Sequence, residues 1–277
     1  MKLGIEGRWA LVCGSSAGLG LGCAKALVQE GVNVVVNARG AVRLGKAADE
    51  LRKLARWYAQ QHSDTHAPQP QVLPVAADVT TAAGREQIFA VEGGPGVDFD
   101  ILVTNAGGPP PGDFRQWEQA QWLAALQANM LTPIELIKAV VDGMAGRGFG
   151  RIVNITSSAV KAPIEVLGLS NGARSGLTGF VAGLARSPLA AQGVTINNLL
   201  PGKFDTERLR STMHAQAQRL GLSDEDLCAQ QRALIPAGRF GTAEEFGAIC
   251  AFLCSQQAAY VNGQNWLIDG GAYPGTF

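Results

Sequence analysis

The sequence predicts an α/β fold: one doubly wound parallel sheet with helices on both faces. Two observations predict it. Short β-branched runs alternate with longer helical patterns from one end of the chain to the other. The runs are apolar along their whole length, as strands covered on both faces are. Crossover handedness then makes the doubly wound sheet the economical arrangement.

The strands are expected at "WALVCG", "NVVVNA", "QVLPVA", "DILVTN", "RIVNIT", "VTINNLL" and "QNWLID". Between them, helices are expected over "GLGLGCAKALVQEG", "RLGKAADELRKLARWYAQQ", "QWLAALQANMLTPIELIKAVVDGM" and "EEFGAICAFLCSQQ". The stretch 62–71 is polar, holds two prolines and reads as a surface loop. Residues 206–236 form a polar helical stretch with no strand partner, placed as a lid over a cleft or else as a surface helix pair. No repeat or low-complexity tract interrupts the pattern, so residues 1–277 read as a single domain.

Composition narrows the function classes. The 277 residues carry 23 basic and 23 acidic side chains, a formal net charge of zero. That balance gives no basic footprint for nucleic acid and no attraction to an anionic membrane surface. No apolar run approaches the roughly 20 residues that span a bilayer. The start, "MKLGIEGRWALVCG", lacks a signal-peptide layout, which makes the cytoplasm the expected compartment. Cys13, Cys23, Cys228, Cys250 and Cys254 form no C-x-x-C pair and read as reduced, mostly buried thiols. Cys250 and Cys254 lie four apart on an expected helix, yet no neighbouring histidine completes a metal set. His62 and His66 read as solvated loop residues, and His214 as polar surface.

The first strand ends in "CGSSAGLG" and a helix follows. Glycines at such a turn let the backbone approach a pyrophosphate, and the helix start favours negative charge. Strand before, helix after and a second strand ending at "VVVNAR" make this a Rossmann-type dinucleotide site. Gly14, Ser15, Ser16, Gly18, Leu19 and Gly20 are its candidates. Arg39 follows the second strand, where an acidic residue would bind a ribose 2′-hydroxyl. A guanidinium there suits a 2′-phosphate, so NADP(H) is expected over NAD(H). Ala17 offers no second cation in the turn.

Together with those downstream, these residues resemble the short-chain dehydrogenase/reductase family over essentially the whole chain. "AADV" puts Asp78 and Val79 where the family contacts adenine. "TNAG" matches its N-N-A-G and sets Asn105, Ala106 and Gly107 beside the coenzyme. "PGKFDT" matches P-G-x-x-x-T, with Pro201, Gly202 and Thr206 near the nicotinamide carboxamide. The resemblance further implies helices over 115–145 and 170–191 that pair across subunits into a homodimer or homotetramer, Pro188 bending the second.

The catalytic centre departs from the family. Aligning "RIVNITS" and "RSGLTGF" puts the family's serine at Ser157, its tyrosine position at Ser170 and its lysine position at Arg174. Asn129 in "QANMLTP" matches the helper asparagine. An aliphatic alcohol is a far weaker acid than a phenol. General acid–base catalysis contributes about 10²–10⁴-fold, which the exchange puts at risk. Arg174 keeps a charge and donors that suit the ribose hydroxyls, but arginine stays protonated and relays no proton.

Other groups are open as proton sources: Ser157, Ser158, Lys161, Lys203, His214, and Tyr273 folding back from the C-terminal region. Tyr260 is expected to pack at the base of the last strand. The reading is an NADP(H)-dependent oxidoreductase acting on a small carbonyl, iminium or activated alkene with a non-standard proton donor. The alternative is a catalytically silent protein that holds NADP(H) as sensor or scaffold. The three prolines of "NAGGPPPGDF" stiffen a cleft wall without naming the substrate.

Overall fold

A computed structural model describes residues 2–63 and 68–276. Seven strands form one sheet: β1 (Trp9–Cys13), β2 (Asn33–Ala38), β3 (Val72–Ala76), β4 (Ile101–Thr104), β5 (Gly150–Ile155), β6 (Val194–Pro201) and β7 (Asn265–Ile268). Their spatial order is β3-β2-β1-β4-β5-β6-β7 and every pairing is parallel. All seven expected strands are present. The order reverses between β1 and β4, and a parallel sheet opens its ligand crevice at such a switch point.

The helices are α1 (Gly18–Gln29), α2 (Ala41–Gln61), α3 (Ala82–Phe89), α4 (Gln119–Leu126), α5 (Thr132–Gly146), α6 (Gly168–Leu184), α7 (Glu207–Leu220), α8 (Asp224–Ala233) and α9 (Ala243–Leu253). Alternation along each strand divides the core between the two faces. Ala10 and Val12 of β1 pack with α1, α2 and α9 through Leu27, Leu51 and Phe246. Leu11 and Cys13 face the other way, onto α3, α5 and α6 through Ile88, Val140 and Leu177. The glycine turn and the serine–arginine region thus hang from a sheet buried on both sides.

Four expectations need correction or limits. The helix over 121–144 is continuous but contains a π-helical segment, Gln127–Leu131, between α4 and α5. One extra residue per turn leaves the 3.6-residue apolar pattern legible, so periodicity alone hides it. Pro188 does not lie inside a helix: α6 ends at Leu184, and Pro188 opens a separate 3-10 turn, a position where its missing N–H leaves no bond unmade. Tyr260 is fully exposed rather than packed under the last strand. His66 and the middle of the 62–71 loop lie outside the described residues, while His62 stacks on Tyr58 at 4.2 Å.

The 206–236 stretch folds as α7 and α8 around a small core of Met213, Ala217 and Leu227. His214 is exposed on it and stands 2.9 Å from the Asp224 carboxylate. Cys13, Cys23, Cys250 and Cys254 are buried free thiols. Burial pushes Cys13 up to about 12. Among the described residues, no helix is long and apolar enough to cross a membrane.

Candidate active site

The glycine turn is built by close approach. Gly14 has φ +59°, and a Cβ on it would lie 2.7 Å from the Asn105 side-chain nitrogen. Asn105 Nδ2 in turn donates to Gly14 O at 3.2 Å, fastening the end of β4 to the turn. A Cβ on Gly20 would stand 2.4 Å from Gly14 O, so only glycine lets α1 start here. Ser15 differs from its expected part. Its N–H donates to Asn37 O at 3.0 Å and its hydroxyl to Val12 O at 2.8 Å, so it fixes the turn to β2 and spends both donors inside the fold. Ser16 and Leu19 are half-buried in the same turn.

Around this turn the predicted coenzyme residues converge. Arg39 is exposed just beyond β2 and has no ion pair among the described residues. Asp78 accepts from the hydroxyl and the N–H of Thr80 at 2.7 and 3.0 Å. Those bonds, with the nearby Arg39 charge, hold its carboxyl below the usual range. Val79 is buried beside it. Ala106 and Gly107 continue from β4, and the space around Gly107 is open. Pro201 ends β6, and Gly202 N donates to Ile268 O at 2.8 Å. Thr206 caps α7 by accepting from Leu209 N at 3.3 Å, and its methyl lies against Gly18.

Asn129 sits in the π segment, whose extra residue turns it inward; it is 5% exposed and donates to Ala125 O at 3.3 Å. Thr132 Oγ1 donates to Gln127 O at 2.7 Å and braces the bulge. A cleft of about 170 Å³ opens beside Asn129, walled by Pro109, Pro110, Ala124, Ala128 and Leu169. Two of the three consecutive prolines thus form a rigid apolar wall of it.

Ser170 and Arg174 share the buried face of α6 with Leu177 and Val181, one turn apart. Ser170 is 7% exposed and Arg174 8%. Arg174 Nη1 donates to Ile155 O at 2.9 Å and to Thr156 O, at the end of β5 just before Ser157. Its Nε is buried without a partner. Burial, with the charge of Arg208 adding to it, brings the guanidinium down to about 10, so it remains charged at neutral pH. Ser157 Oγ accepts from Ala159 N at 3.1 Å, leaving its O–H to donate elsewhere.

The other proton candidates separate. Lys203 donates to Gln231 on α8, and burial lowers its ammonium. Lys161, at the end of the 3-10 turn that follows Ser157, holds its ammonium 5.9 Å from the centre of the Tyr273 ring. An ammonium thus approaches the face of a tyrosine ring, both from positions outside α6. Sequence reasoning also missed a polar row across the sheet: Thr104 donates to Asn154 at 2.7 Å, Asn154 to Asn198 at 3.2 Å and Asn198 to Asn265 at 2.8 Å. Each strand looked merely apolar, and only the register lines these residues up.

A family model described as Enoyl-(Acyl carrier protein) reductase matches residues 14–273. The chain belongs to the short-chain dehydrogenase/reductase family. As a member it is an oxidoreductase enzyme. It is 30% identical to D-beta-hydroxybutyrate dehydrogenase of Cupriavidus necator over 271 residues, covering 96% of this chain and 98% of that protein. It is 32% identical to the 3-oxoacyl-acyl-carrier-protein reductase FabG of Escherichia coli, covering 98% and 99%. The L-sorbose reductase of Gluconobacter frateurii, solved with NADPH and L-sorbose, superposes with TM-score 0.87 at 27% identity, covering 99% of this chain and all of that one.

The site fits a dinucleotide on its own geometry. Backbone space is open at Gly107, Arg39 is a cation free of ion pairs among the described residues, and Arg174 Nε is a buried donor awaiting an acceptor.

Proposed function

We propose that this enzyme is an NADP(H)-dependent reductase of a small carbonyl, iminium or activated alkene whose proton comes from outside the usual α6 position. The observation that carries it is the pairing of Lys161 with Tyr273 one short turn from Ser157, while Ser170 stands where the family's phenol would be. Arg39 receives the 2′-phosphate, which suits a guanidinium. The structural relative solved with NADPH supports the same coenzyme. Gly14, Gly18 and Gly20 shape the pyrophosphate turn, and Asp78, Val79, Asn105, Ala106, Gly107, Pro201, Gly202 and Thr206 line the rest of the groove.

NADPH, when bound, supplies the hydride. Arg174 would hold the nicotinamide ribose, with Nε as the donor left over while Nη1 stays tied to β5. Asn129 faces the apolar cleft where a compact substrate fits. With a carbonyl substrate, Ser157 donates its hydroxyl to the substrate oxygen. Tyr273 gives that oxygen the proton as the neighbouring carbon is reduced, leaving a phenolate. The Lys161 ammonium returns a proton to it and is recharged from solvent. α7 and α8 form the lid, and the enzyme assembles as a homodimer or homotetramer through the continuous α4–α5 helix and α6.

The test follows NADPH oxidation against ketones, quinones, activated alkenes and iminium compounds, with wild type beside the Ser170→Tyr/Arg174→Lys double variant. Wild-type turnover is expected. Turnover by the double variant alone would instead favour a silent NADP(H)-binding protein.

A further inference from the structure

Three consecutive residues at the start of α7 tie the 206–236 segment across the coenzyme groove. Thr206 rests on Gly18 of the glycine turn. Glu207 forms an ion pair with Arg43 in the first turn of α2, 164 residues away in sequence. Arg208 donates to Gly108 O at 3.1 Å, beyond the end of β4. Arg43 lies four residues after Arg39, which precedes the helix, and both are exposed. The first turn of α2 contains no acidic residue, so its helix start and these two guanidiniums present positive charge to the side of the groove where the 2′-phosphate is placed. Among the described residues, the carboxylate paired with Arg43 is Glu207, and it comes from the lid segment.

We propose that Arg43 is a second determinant of NADP(H) preference, and that Glu207 holds it until the coenzyme 2′-phosphate takes the carboxylate's place. A phosphate dianion offers more charge and more acceptor oxygens to a guanidinium than a carboxylate does. NADH lacks that phosphate and has nothing to offer Arg43, so the Glu207 bridge persists beside it. The exchange therefore sharpens the distinction between the two coenzymes and ties the loosening of the lid's first turn to arrival of the phosphorylated one. It rests on the placing of the 2′-phosphate at Arg39.

Affinity for NADPH and for NADH, measured by calorimetry without substrate, tests this. Arg43→Ala should weaken NADPH by about 10-fold and leave NADH unchanged, as loss of one charge-assisted contact does. Glu207→Gln should tighten NADPH by about threefold, the scale of an exposed ion pair, and that gain should vanish in the Arg43→Ala background. NADH affinity reports whether each variant is folded. Equal weakening of both coenzymes by Arg43→Ala would make Arg43 a lid brace and overturn the inference, as would no change in either. Arg39→Ala run alongside separates the two levels. If Arg39→Ala alone removes the NADPH preference, the 2′-phosphate site stands and the role of Arg43 falls; if neither variant does, both fall.

Discussion

Arg174 donates from one nitrogen, Nη1, to the carbonyl oxygens of both Ile155 and Thr156, so a single side chain of α6 fixes the end of β5 immediately before Ser157. The buried guanidinium is therefore a structural tie as well as a ligand group. Arg174→Leu leaves two carbonyls without that donor and should destabilise the chain by about 1–3 kcal/mol in urea melts. NADPH affinity should fall with it. Arg174→Lys should recover part of both. Unchanged stability in the leucine variant would contradict the tie.

Gly20 stands against Gly14, where an added Cβ would lie 2.4 Å from the carbonyl oxygen. That atom is backbone and cannot swing aside. Gly20→Ala should thus weaken NADPH binding at least about 10-fold by displacing α1 from the turn, an effect of order 1.4 kcal/mol. Gly45 on α2, where an added Cβ would meet nothing within 4 Å, is the control: Gly45→Ala should leave binding unchanged and help the helix slightly. Equal affinities in the two variants would show that the turn is not the pyrophosphate site.

Glu245 caps α9 together with Thr242 and pairs with Arg239 at 2.8 Å. The Arg239 hydrogen bond and that of Thr242 bring its carboxyl down from 4.5 to about 2. A carboxyl depressed on folding adds stability that is fully present above pH 4.5 and lost as pH falls toward 2. Melting temperature followed from pH 6 to pH 2 should fall less steeply for Glu245→Gln than for wild type over that window. Parallel curves would remove the cap from the account.

The fold was legible because its signals are local. Each strand is a short apolar run, and the glycine turn announces itself between "WALVCG" and a helix. The expected coenzyme residues converge because they belong to motifs at strand ends, which the sheet brings together automatically. What escaped depends on distant register or on small geometric insertions. The π segment around Asn129 adds one residue without breaking the apolar stripe. The row from Thr104 to Asn265 exists only once four strands align. Arg43 had a readable hint, four residues after Arg39, but its partner Glu207 lies 164 residues on. Tyr260 failed because an aromatic near a strand is no guarantee of burial.

The central claim, a proton supplied by Tyr273 rather than from position 170, is tested most directly by kcat/KM for NADPH-driven reduction. Tyr273→Phe is compared with Ser170→Ala, each checked for unchanged NADPH affinity. Tyr273→Phe should lower kcat/KM by about 10²–10⁴-fold, the loss expected when a general acid is deleted. Ser170→Ala should leave the rate near wild type. A Tyr273→Phe enzyme with the wild-type rate would contradict the account.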